Sequence, residues 1–176
     1  MAHAAKRTDV LTSIALVAPW LHDRAIVNTV YGGETSVNGL IQTSRDAQAK
    51  FAQTGENTLV PAAGPQGSNA VMAGVPYYTE TDRGQIPQWE NTFNLASWEG
   101  WLTFDAQTAS GLKQPFFMVH SEAAAIPQGA RQFFANVQGR KGELWIDGVS
   151  PLDFYDRAAP VTTSADAVAK HFRGTL

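Results

Sequence analysis

Three short apolar runs, each closed by a polar loop, constrain this chain more than any other feature: "SIALVAP" (Ser13 to Pro19), "PFFMVH" (Pro115 to His120) and "GELWIDG" (Gly142 to Gly148). Their length and their β-branched and aromatic content predict buried strands. Between the second and third lies "PQGARQFFANVQG". There Ala130, Phe133, Phe134 and Val137 recur at i, i+3, i+4 and i+7, which predicts an amphipathic helix. Pro127 suits its first turn and Gly139 its C-terminal cap. Pro160 opens a last helix, with Val161, Ala165, Val168 and Phe172 on one face. Strands alternating with helices imply an α/β fold, a parallel sheet flanked by helices.

The remaining chain is less regular. "MAHAAKRTDV" reads as a short helix with Met1, Ala4 and Ala5 on one face. Arg24 to Gln53 holds two helices broken at "YGGE", where Gly32 and Gly33 permit a turn. From Gly55 to Gly111, Gly, Pro, Asn and aromatic residues dominate, as in "GVPYYTETDRGQIPQWEN". A stretch this long is either functional or a covering element, so a cap over a pocket and a simple cover for the sheet both stand. The 176 residues suffice for one domain, expected over 1–176 with a cap-like insertion at about 24–111.

Charge and composition narrow the function. The net charge is -3 and no run of like charge occurs, which argues against a nucleic-acid partner. No apolar run reaches 18 residues, so no membrane helix is expected. The first residues lack a signal-peptide core, and a cytoplasmic protein is the default. Cysteine is absent, which removes disulfides, thiolate nucleophiles and cysteine metal sites. The four histidines have no H-x-x-x-H spacing, so neither a metal nor another cofactor is expected.

In an open parallel sheet, ligands sit beyond the carboxyl ends of the strands. The loops there carry His22, Asp23, Ser121, Glu122, Ser150, Asp153 and Asp156. Each has a plain alternative to a chemical role. Glu122 would be a functional carboxylate or a carboxylate at the start of the next helix. Asp153 would be a functional carboxylate or a turn-fixing residue. Asp156 caps the last helix or pairs with Arg157, His22 with Asp23 fixes its loop, and His120 is a packed histidine. His171, late in the last helix, complements the helix dipole.

The stretches "QPFFMVHSEAAAIP", "GELWIDGVSPLDFYDR" and "AVAKHF", with "LVAPWLHD" and "RGQIPQWENTF", resemble the closing part of an α/β-hydrolase, in its dienelactone-hydrolase-like branch. The resemblance implies a partial α/β-hydrolase fold acting on ester- or lactone-type acyl bonds of a small-molecule substrate. It also implies that the first stretch delivers the catalytic acid and the second the catalytic histidine. In that branch a G-x-S-x-G elbow precedes a helix reading like "GYMAHAA". This chain begins at the corresponding Met1 and contains no G-x-S-x-G, so it is expected to be a C-terminal portion, inactive alone. Against the form "VHGEKD", Ala124 stands at the acid position, with Glu122 the nearest carboxylate. Against "GASHFDFYD", Pro151 stands at the histidine position. Without an imidazole a serine hydroxyl has no positioned proton acceptor. Glu122 and Asp153 are therefore the two candidate catalytic residues. The alternative is a non-catalytic, hydrolase-derived protein that binds a small ligand or a partner. A homodimer through an exposed sheet edge, or a poorly soluble chain when expressed alone, is expected in either case.

Overall fold

The computed structural model describes residues 10–176, and the helix expected at the start of the chain falls outside them. In chain order the elements are β1 (Ile14–Val17), α1 (Arg24–Val30), α2 (Glu34–Thr54), β2 (Leu59–Pro61), β3 (Ala63–Gly64), β4 (Met72–Ala73) and β5 (Thr92–Asn94). They continue with α3 (Trp98–Thr103), β6 (Phe116–His120), α4 (Pro127–Asn136), β7 (Lys141–Trp145), α5 (Asp153–Asp156) and α6 (Ala158–Arg173). The chain divides into two compact units, one of residues up to Ile26 with Asp105–Leu176, the other of Val27–Phe104.

The first unit is a three-stranded parallel sheet in the order β1-β6-β7. Ile14 pairs with Phe116 and Val17 with Val119, while Phe116 pairs with Lys141 and His120 with Trp145. All three predicted strands are present, and their side chains alternate between two covered faces. Phe116 and Met118 enter a core with Leu112, Ala130 and Phe133, so α4 covers one face. Val119 packs with Ala167 and Val168, and Phe117 stacks on His171 at 5.5 Å, so α6 covers the other. Among the described residues β1 and β7 each pair on one side only.

Two sequence expectations need correction. The inward face of α6 is Ser164, Ala167, Val168 and His171, not the stripe through Val161 and Ala165. Ser164 is buried whereas Val161 is 37% exposed. The small side chains of Ser164 and Ala167 turn inward, and counting apolar residues misses a polar one. Gly139 does not cap α4, which ends at Asn136 with Val137 as its cap. A side chain at Gly139 would meet the backbone carbonyls of Lys113 and Gln114. Glycine is there because two backbones pass closely.

The second unit packs α2 and α3 around Val27, Val37, Ile41, Trp98 and Leu102. The break at "YGGE" is real: Gly32 and Gly33 have φ of 83° and 96°, which non-glycine residues adopt at a cost. Residues 55–104 contain β2 paired antiparallel with β5, and a two-residue parallel pair of β3 and β4. The Asn91 side chain brackets Ala63, accepting from its N–H and donating to its C=O, both at 2.7 Å.

Candidate functional site

The site is built where the three parallel strands end. Ala18 after β1, Ala124 after β6, and Ile146, Val149 and Phe154 after β7 share one apolar cluster with Val119. That cluster brings the three loops expected from sequence to one end of the sheet.

In the first loop, His22 is buried, 2% exposed. Its Nδ1 lies 2.8 Å from Trp20 Nε1. An indole N–H only donates, so this Nδ1 is an acceptor and the neutral ring carries its proton on Nε2. Asp23 caps α1. Its Oδ1 accepts from Ile26 N at 2.9 Å, and Oδ2 accepts from Gln132 Nε2 at 3.1 Å. The Ile26 bond is the main reason its pKa lies below the ordinary carboxylate range. A depressed native pKa contributes stability above the unfolded value of about 3.9, and that contribution is lost as pH falls through the native value. Asp23→Ala is therefore expected to cost about 1 kcal/mol at neutral pH, with the difference from wild type shrinking in acid. Urea unfolding of both proteins from pH 7 down to pH 3 checks this, and a pH-independent difference would contradict it.

In the second loop, His120 is fully buried beside the Trp145 ring, at 5.1 Å between centroids. Its Nδ1 lies 2.9 Å from the Ser121 carbonyl oxygen, which fixes Nδ1 as the donor. Its Nε2 is buried with no hydrogen-bond partner among the described residues. Ser121 is buried and its Oγ accepts from Ala123 N at 3.1 Å, closing the turn. Ile126 closes the loop in the left-handed region at φ 44°. Glu122 is exposed, and its Oε1 accepts from Arg131 Nε at 2.7 Å and from the Arg131 terminal nitrogen. The Arg131 guanidinium in turn lies 3.7 Å over the Trp145 ring. Trp145 Nε1 donates to Glu143 at 2.7 Å.

The third loop is closed on itself. Asp153 Oδ2 accepts from Ser150 Oγ at 2.6 Å and from Ser150 N at 2.9 Å, while Ser150 Oγ accepts from Asp153 N at 3.3 Å. This is the reciprocal pattern of a capping box. Arg157 Nε lies 3.7 Å from the other carboxylate oxygen. Pro151 sits between the two partners, half-buried. Asp156 is exposed at the end of α5. Ala124, at the expected acid position, is buried against Val119 and Phe154.

The structure thus places Glu122 on an exposed arginine and Asp153 inside a serine turn. Sequence reading missed Trp20, Arg131, Gln132 and Trp145, which hold these loops. Only the S-x-x-D spacing of Ser150 and Asp153 is a local signal. The others are tertiary pairs or, for Trp20, a ring that reaches two residues along the loop.

No family model matches the sequence, and no curated protein does. Solved structures do match. The hypothetical protein PA2218 from Pseudomonas aeruginosa is 17% identical with a TM-score of 0.76, over 99% of this chain and 57% of that one. DcsB, solved in complex with its substrate analogue, is 16% identical with a TM-score of 0.71, over 99% and 61%. The α/β hydrolase GrgF from Penicillium sp. sh18 is 17% identical with a TM-score of 0.67, over 97% and 59%. The chain therefore has the architecture of an α/β-hydrolase fold and spans about 57–61% of the length of these structures. Among the described residues no helix is long and apolar enough to cross a membrane.

Proposed function

We propose that this chain is a hydrolase-derived protein whose acid and histidine loops serve as structural turns, and that it does not hydrolyse acyl bonds by itself. One observation carries the reading: Ser150 and Asp153 bond each other around Pro151, where the resemblance expects an imidazole. The Ser150 hydroxyl donates to a carboxylate that also accepts from the Ser150 N–H, and no imidazole stands beside it as a positioned base. Ala124 leaves the acid position without a carboxylate, and Glu122 is exposed and paired with Arg131. This is the non-catalytic alternative, a hydrolase-derived protein that binds a small ligand or a partner.

A second reading, hydrolysis of ester or lactone bonds as in the dienelactone-hydrolase-like branch, is favoured by the unpartnered Nε2 of His120. An imidazole nitrogen with no partner at the end of a central strand is the kind of group a base requires. Assay of the purified chain with p-nitrophenyl acetate and butyrate separates the two. The first reading expects the buffer rate, unchanged in Glu122→Ala and Asp153→Ala. Turnover above buffer that disappears in His120→Asn would establish the second and overturn the first.

A further inference from the structure

At the amino end of the sheet, opposite the loop cluster, the first unit has an open groove of about 510 Å³. This is within the range of about 300–1,000 Å³ that small-molecule sites occupy. Its lining has two chemistries. Phe117, Leu144 and Ala167 supply apolar surface, and Gly142 supplies bare strand. A Cβ at Gly142 would lie 3.2 Å from the Phe117 ring, so any larger residue would enter this space. The mouth carries Arg140 and Lys170, both exposed.

The charges near the groove do not cancel. Glu143 and Lys141 also line it, but they alternate along β7 with Gly142 and Leu144, so their side chains point to the opposite face. Glu143 accepts from Trp145 Nε1 there, and the Lys141 ammonium donates to the carbonyls of Phe134, Ala135 and Val137 at the end of α4. Arg140 donates to the Gly174 carbonyl at 3.2 Å, which holds the guanidinium at the mouth with donors to spare. His171, on the groove wall, has its pKa lowered first by burial and then by the charge of Arg140. Its Nε2 is within 2.8 Å of Ser13 Oγ. The site is an apolar slot with cations at its entrance.

We propose that this groove binds an amphipathic carboxylate, a medium-chain fatty acid in chemical class, with the alkyl chain over Gly142 and Phe117 and the carboxylate between Arg140 and Lys170. The apolar lining accounts for the chain and the two cations for the head group. The site is separate from the loop cluster, so it stands or falls independently of the reading above.

Calorimetric titration of the whole chain with sodium octanoate and with octan-1-ol tests it. One saturable octanoate site is expected, with octan-1-ol about tenfold weaker or more, and with a similar loss for octanoate in the Arg140→Glu, Lys170→Glu double variant. Both positions are exposed, so the double variant is expected to keep the wild-type melting transition. Ala167→Phe, which fills the slot, is expected to abolish binding. The absence of a saturable site, equal affinity for the alcohol, or unchanged affinity in the double variant or in Ala167→Phe would each overturn the proposal.

Discussion

Gly129→Ala is expected to lower the unfolding free energy by about 3 kcal/mol or more, a large effect for one methyl group. Gly129 is buried in the first turn of α4. A Cβ there would fall inside the contact distance of the Leu21 carbonyl oxygen and lie 3.1 Å from Ile26 Cδ1. The oxygen belongs to the backbone and cannot rotate away. Gln107 also pins it, its Nε2 donating to Leu21 O at 3.0 Å and to Gly129 O at 3.1 Å. The methyl group can be accommodated only by separating the loop after β1 from α4. Gly39→Ala is the matching control. Gly39 lies within α2, and a Cβ there meets nothing within 4 Å. It is expected to stabilise by about 0.5–1 kcal/mol through helix propensity alone. Urea unfolding followed by circular dichroism reads both. Similar small shifts in the two variants would show that the close approach at Gly129 does not constrain the fold.

Phe133→Ala is expected to cost about 3–5 kcal/mol. Phe133 is fully buried and shares a core with Ile14, Leu112, Met118 and Ala130. Its ring lies 5.8 Å from that of Phe116, tilted by 46°. Truncation loses the transfer energy of the ring and the aromatic contact, and leaves a cavity between α4 and a sheet that cannot close it. Small domains are stable by about 5–15 kcal/mol, so this one side chain accounts for a substantial part of the total. The expected result is a lower urea midpoint with an unchanged slope. A cost under about 1 kcal/mol would mean that α4 is not anchored to the sheet through this residue.

The parallel sheet was legible in the sequence because strands covered on both faces carry their signal in composition, as "PFFMVH" does. The helix after it was legible because Ala130, Phe133 and Val137 repeat at helical spacing. The inward face of α6 was not, because Ser164 is buried without being apolar. The short strands of the second unit were not, because a side chain rather than a pattern holds one of them: Asn91 stands in for a strand partner of Ala63. At the site, the three loops could be placed from sequence, since a parallel sheet collects its loops at one end. The engagement of each side chain could not. Nothing in the chain between Arg131 and Trp145 indicates that one stacks on the other. Ser150 and Asp153 were the exception, because a pair three residues apart can bond without help from the rest of the fold.

The connection from β1 to β6 leaves and re-enters the first unit at a single point. The Ala106 N–H donates to the His22 carbonyl at 2.9 Å, so the chain that departs after Ile26 and resumes at Asp105 has its two ends tied together within that unit. A segment hung from such a junction can lengthen, shorten or be exchanged for another without changing the register of the strands on either side. For lineages sharing this architecture, the geometry makes residues 27–104 the region where length is free to vary, and the three strands the region where it is not.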